Sequence, residues 1–385
     1  MPNLARPIGV VLGLAVAAGA GVALRELDPS RRPDVRALEL LDKTGIPDAE
    51  VVALFTEAVR RDSANPYRWA DLGQALADSN DIQKARQCFA RAHELSRDIP
   101  QIWLREANFH FQIGEPENAL AVAALVLKTV PDYDAVLFSY FVRFELPQEL
   151  ILVQIGNDHR ATRAYLEFLV SQEMMPEAAT AWQHTVKAGF ADDKLAGLYV
   201  DGLIHAKRFE QARIEWDRYL RADRGESRNL LYNGGFEREP MPSLMDWHIE
   251  STEDATVSRD GLAYEGHSAL RVHFSGKANV SAVSAVQTVP IEAGRYVLRA
   301  WLRSDGVTTK EGPRLEVSDA ESSALLSVRS EPIVGTHSWT QSTQQVEVPS
   351  GSGLVSVRLV RQPSQKFDNK IAGSVWLDSV ELVRR

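Results

Sequence analysis

In the stretch GRYVLRAWLRSD, Arg299, Trp301 and Arg303 fall on one side of a twofold alternation, and Leu298, Ala300 and Leu302 fall on the other. A Trp on the polar side of a strand, between two guanidinium groups, can stack on a sugar ring while the arginines hold hydroxyls or carboxylates. The same alternation sets Arg271 and His273 against Leu270, Val272 and Phe274, and Arg358 against Val355, Val357 and Leu359. If these strands neighbour one another in a single sheet, the six polar-side residues make a cationic platform suited to an acidic polysaccharide. The competing reading is a covered Trp on a solvated sheet. Trp247, Trp339 and Trp376 are expected to be packing residues.

The usual catalytic motifs are missing from the sequence, although a pair of glycosidase carboxylates, distant in sequence, would show no motif. GHSAL at Gly266 begins like a nucleophile elbow but lacks the final Gly and precedes a strand pattern. There is no HExxH, phosphate loop, dinucleotide fingerprint or EF-hand loop. The lone cysteine, Cys88, sits at helical spacing from Ala85 and Phe89, as a small buried hydrophobe does. The expectation is a protein that binds and does not catalyse.

Alternating stretches of this kind fill the chain from Asn229 to its end, separated by turn clusters such as SDG, GTHS and PSGSG. Short strands at this spacing predict a two-sheet antiparallel sandwich, with the change of period placing a boundary near Gly225. The opening NLLYNGGFE with Trp247, the middle EGHSALRV, the GRYVLRAWLRSD strand and the closing VWLDSVEL resemble, in order and spacing, a jelly-roll carbohydrate-binding module of the galactose-binding-like type. The resemblance implies that Glu237 and Asp378 bind a structural calcium ion together with carbonyls of the EGHS loop. The alternative is that both carboxylates accept hydrogen bonds from turn amides. Asn233, Gly234 and Gly235 are expected to turn the chain so that Phe236 plugs the end of the sandwich.

Ahead of the boundary the chain repeats with a step of 34. Pro66, Trp69 and Ala85 recur as Pro100, Trp103 and Ala119, Phe55 and Ala58 as Phe89 and Ala92, and Ala178 and Trp182 as Ala212 and Trp216. With Leu72 and Gly73 in the best copy, this resembles the tetratricopeptide repeat. Gly73 and Ala85 are expected to let antiparallel helices approach, while Trp69 and Phe89 fill the gaps. Four to five helix pairs are expected, stacked as a solenoid with a concave face for a protein partner. Glu106 and Ala107 stand where the second copy needs Leu-Gly, and Ala119 and Ala178 are out of step, so the region around FSYFVRFELPQELILVQ reads as a shortened unit.

The first residues carry a different signal. Ile8 to Leu24 is an uncharged run between Arg6 and Arg25, with Gly9, Gly13, Ala17 and Gly21 recurring every fourth residue. It is read as a retained membrane anchor with a small-residue packing face, a cleaved signal segment being the alternative. With 43 basic and 52 acidic residues the chain is net negative, and from Asn229 onward 16 basic face 19 acidic residues, so neither half suits nucleic acid.

The whole reads as a multidomain α + β chain: an anchor or signal segment (1–25), an α-solenoid of tetratricopeptide-like helix pairs (26–225) and an antiparallel β-sandwich (226–385). Its expected role is a membrane-tethered, periplasmic scaffold that binds polysaccharide through the sandwich and a protein through the repeats, as in bacterial exopolysaccharide assembly or export. The alternatives are a protein-only assembly factor with a structural sandwich, and an accessory module of a glycan hydrolase.

Overall fold

The structure, a computed structural model, describes residues 32–45, 47–224, 228–367 and 369–385. The apolar run from Ile8 to Leu24 and the boundary glycine Gly225 lie outside the described residues. No helix among those described is long and apolar enough to cross a membrane. The described residues divide into two compact units: those up to 168 together with 183–190, and 169–182 together with those from 191 onward.

Twelve α-helices are described: α1 (Pro33–Thr44), α2 (Ala49–Arg61), α3 (Pro66–Asp78), α4 (Ile82–Leu95), α5 (Pro100–Gln112), α6 (Pro116–Leu127), α7 (Asp134–Arg143), α8 (Gln148–Ile155), α9 (His159–Ser171), α10 (Met175–Lys187), α11 (Asp193–His205) and α12 (Phe209–Arg224). Successive pairs that pack closely include α1–α2, α3–α4, α5–α6 and α11–α12, while α7 and α8 are short and carry no copy of the repeat signature. Helix starts follow local chemistry. Asp48 and Asp81 accept from the N–H of Val51 and Lys84, Asn65 accepts from Tyr67 N–H, and prolines open α3, α5 and α6.

The repeat positions behave as their spacing requires. A Cβ on Gly73 would stand 3.0 Å from the Phe89 ring, so any larger residue there must push the ring aside for α4 to lie this close to α3. Phe89 in turn stacks on Phe109 of α5 at 4.7 Å, which joins one pair to the next. In the second copy Glu106 is buried where the repeat has leucine, and it meets His93 Nδ1 at 2.5 Å. Trp69, expected in the core, is only half-buried and donates its indole N–H to Ser63 O.

The second unit carries the sandwich. Its strands are β1 (His248–Ile249), β2 (Ala255–Asp260), β3 (Ala269–Ser275), β4 (Ala282–Pro290), β5 (Gly294–Val307), β6 (Arg314–Asp319), β7 (Ser327–Arg329), β8 (Gly335–Val348), β9 (Leu354–Arg361) and β10 (Ala372–Arg384). They form two five-stranded sheets in the orders β1-β4-β9-β6-β7 and β2-β3-β10-β5-β8, with every pairing antiparallel. The inward residues of both sheets make one core, including Leu270, Val272, Phe274, Leu298, Leu302, Val357 and Leu377. Phe236, with φ +55°, is fully buried in that core against Trp247, at 5.2 Å between rings. Asn229 ties the entering chain to the last strand: its side-chain N–H donates to Val380 O, and its oxygen accepts from Leu382 N–H.

Candidate functional site

The second sheet brings five of the six platform residues onto one outward face. On β5, Arg299, Trp301 and Arg303 point away from the core that holds Leu298, Ala300 and Leu302, as the alternation requires. Register places Trp376 of β10 between Arg303 of β5 and Arg271 of β3, with His273 opposite Ser374 one step along. Both guanidinium groups lie over the indole of Trp376, at 5.4 Å for Arg271 and 5.7 Å for Arg303. Trp376 is nearly buried on the outward face of the sheet, where the two arginines cover it. Arg271 approaches Asp260 at 3.6 Å, and Arg299 approaches Glu381 at 3.9 Å. Among the described residues no carboxylate lies within ion-pair distance of Arg303.

Arg358 is the exception. Its strand, β9, is central in the first sheet, and its guanidinium pairs at 2.7 Å with Glu316 of β6, which also meets Arg329 of β7. Alternation fixes which side of its own strand a residue takes but not which sheet the strand joins. The six residues therefore do not make one platform.

Trp301 does not present an open ring. Tyr264, in the loop between β2 and β3, stacks flat on it with centroids 3.8 Å apart and planes 12° apart. Trp339 of β8 stands edge-on to the same tyrosine at 6.0 Å and 62°. Expected from sequence to be a packing residue, it is half-buried and packs on Tyr264 outside the sandwich core. Tyr264 has no sequence signal of its own, since it lies in a loop without period.

The same loop meets Glu237 and Asp378. Asp378 is fully buried and accepts through Oδ2 from the N–H groups of Tyr264 (2.7 Å) and Glu265 (3.1 Å), and through Oδ1 from Ser379 N–H. Glu237 Oε1 accepts from the N–H groups of His267 (2.8 Å) and Ser268 (3.0 Å). Gly266, at φ +71°, allows the loop to wrap this closely, because a Cβ there would overlap the Glu237 carboxylate. Burial pushes the Asp378 carboxyl up from its ordinary range, against the pull of its amide donors. Calcium needs six or more oxygens. N–H groups of the loop reach both carboxylates, and the Ser379 hydroxyl lies 3.4 Å from Asp378 Oδ1; a calcium ion there would draw its remaining oxygens from loop carbonyls.

Elsewhere, Cys88 is buried and its thiol is pushed up to about 11 by burial, which removes it as a nucleophile. A cavity of about 500 Å³ is lined by residues that include Asp201, Pro242, Leu244 and His248. Burial pushes Asp201 there up to about 6, although Ser243 Oγ and Leu244 N–H donate to it at 2.8 and 3.0 Å.

Comparison with solved structures finds the sandwich similar to TmCBM61 in complex with β-1,4-galactotriose (20% identical, over 41% of this chain and all of that one, TM-score 0.30). It is also similar to the CBM22-1 xylan-binding domain of Xyn10C from Paenibacillus barcinonensis (12%, 39% and 91%, TM-score 0.26). The helical region is similar to YrrB, a TPR protein with an unusual peptide-binding site (15%, 45% and 93%, TM-score 0.23). Scores this low carry no argument, and the fold rests on strand order, register and the repeat spacing. No protein-family model matches the chain, nor does any curated protein.

Proposed function

We propose that the chain is a membrane-tethered, extracytoplasmic scaffold that acts by binding. The sandwich takes a polysaccharide on the outward face of its second sheet, the helical repeats take a protein, and the setting is bacterial exopolysaccharide assembly or export. One observation carries the glycan reading: Arg271, Trp376 and Arg303 stand in a row across three paired strands, and among the described residues no carboxylate pairs with Arg303. Guanidinium groups laid out over a covered indole, one of them without a carboxylate in reach, suit a sugar that carries acid groups.

The test is retention of the full chain on a panel of soluble and insoluble glycans, neutral and acidic. Acidic polymers should be retained, and retention should fall with salt because part of the attraction is between exposed charges. Arg303→Ala should weaken retention severalfold. No retention on any glycan overturns the reading in favour of a protein-only assembly factor, and cleavage of a retained glycan would mark an accessory of a hydrolase instead. The tether is tested separately: the full-length chain should fractionate with membranes, and a soluble product beginning near Gly21 overturns it. A structural calcium ion at Glu237 and Asp378 is a further, separable proposal, addressed by chelation below.

A further inference from the structure

We propose that Tyr264, Trp301 and Trp339 form an aromatic corner that binds one pyranose ring, with the outward face of Tyr264 as the stacking surface. This rests on the glycan-binding reading and gives it a location that the strand pattern alone does not. Trp301 cannot itself be the platform, because Tyr264 lies parallel to it at 3.8 Å and occupies its ring face. The stack leaves Tyr264 outermost and 43% exposed, an unusual position for a ring whose other face is fully packed. Trp339, at 62° to Tyr264, stands as a wall beside that floor.

The floor is held in place before any ligand arrives. The N–H groups of Tyr264 and Glu265 are bound by buried Asp378, and those of His267 and Ser268 by Glu237, so the loop carrying the ring is anchored on both sides. A ring ordered in advance loses little freedom on binding. Around it the rim is polar. Register sets Gln341 and Thr343 of β8 opposite Trp301 and Arg299, and all but Trp301 are exposed. A pyranose has this combination of needs: an apolar C–H face for an aromatic floor, and a ring of hydroxyls for amide, hydroxyl and guanidinium partners. The arginine beside the corner, Arg299, has only a 3.9 Å approach to Glu381, which leaves donors for a sugar carboxylate or hydroxyl.

The experiment is native affinity electrophoresis of the full chain through gels containing the glycans it retains, with melting curves recorded for every variant. Tyr264→Ala and Trp339→Ala should each weaken binding tenfold or more, Tyr264→Phe should keep it, and Arg329→Ala on the other sheet should leave it unchanged. If Tyr264→Ala lowers the melting temperature, sugar-induced quenching of indole fluorescence, present in the wild type and reduced in Trp339→Phe, still supports the corner. Wild-type binding that survives both alanine substitutions overturns the corner and leaves the glycan reading standing. Tighter binding by Tyr264→Ala overturns it too, by making the ring a lid over Trp301. Failure of the wild type to bind any glycan overturns both.

Discussion

Asp201 shows how a single buried carboxylate can be satisfied and still costly. Two donors hold it, yet burial wins and its pKa rises to about 6, with nearby His205 pulling the other way. A carboxyl raised in the folded state binds its proton more tightly there than in the unfolded chain. Its contribution to stability is thus present in full below about pH 4 and lost as the pH rises through about 6. The shift caps the effect at about 3 kcal/mol. Asp201→Asn keeps an oxygen for Leu244 N–H and removes the charge, so it should melt higher than the wild type at pH 7.5, with the gap closing by pH 4.5. An unchanged gap across that range would show that the carboxyl does not titrate there. The calcium proposal at Glu237 and Asp378 is read by chelation: a bound ion predicts a drop of several degrees in the melting temperature of the full chain, and an unchanged curve retires the metal and leaves the amide hydrogen bonds as the sole tie to the loop. That these two residues meet one loop was legible from the motif at each end of the domain. Tyr264 was not, because nothing in a loop's spacing says what its side chains cover. Arg358 misled for a related reason, its side being local information and its sheet a property of the fold.

At the scale of elements, the step of 34 was legible because each repeat must present the same small and large residues to its neighbours. It recurs in the polar contacts. Arg68 pairs with Asp34 at 2.5 Å, Arg105 with Asp71 at 2.8 Å, and Gln112 donates to Asp78 at 3.0 Å, each pair one repeat apart. This ladder ties successive repeats to one another through polar side chains as well as through the apolar core. The shortened region was legible only as a loss of register: without a Trp, a Leu-Gly or a proline start, α7 and α8 give no phase to read. The close approach of α3 and α4 is testable at its tightest point. Gly73→Ala should gain up to about 1 kcal/mol in helix propensity. Against that, the new methyl must displace the Phe89 ring, at a cost of about 1–3 kcal/mol. The net expectation is a lower urea midpoint with an unchanged slope, and a higher midpoint would mean that α4 moves away freely.

At the scale of the molecule, the compact unit that holds the sandwich reaches N-terminal of it and takes in α11 and α12. Residues 191–224 are tied to the strands by several unlike contacts. Asp201 of α11 binds Ser243 and Leu244, and Gly197 of α11 lies so close to Pro242 O that any Cβ would overlap it. Lys207 reaches Glu321 at 2.8 Å, Phe209 packs on Gly353, and Trp216 of α12 meets Tyr232 edge-on at 5.7 Å. Tyr232 is itself clasped through its backbone by Gln287, fully buried on β4. A sandwich cut out at Asn229 would leave Tyr232 and the 240–244 loop bare, and Trp216 is among the largest fully buried side chains. Removing such an indole costs about 3–5 kcal/mol. Residues 191–385 should therefore melt well above residues 229–385, and Trp216→Ala in the longer piece should remove most of the difference. Equal melting of the two pieces, with Trp216→Ala silent, would mean that the helices add nothing to the sandwich and that the contacts between them are too weak to hold the two together.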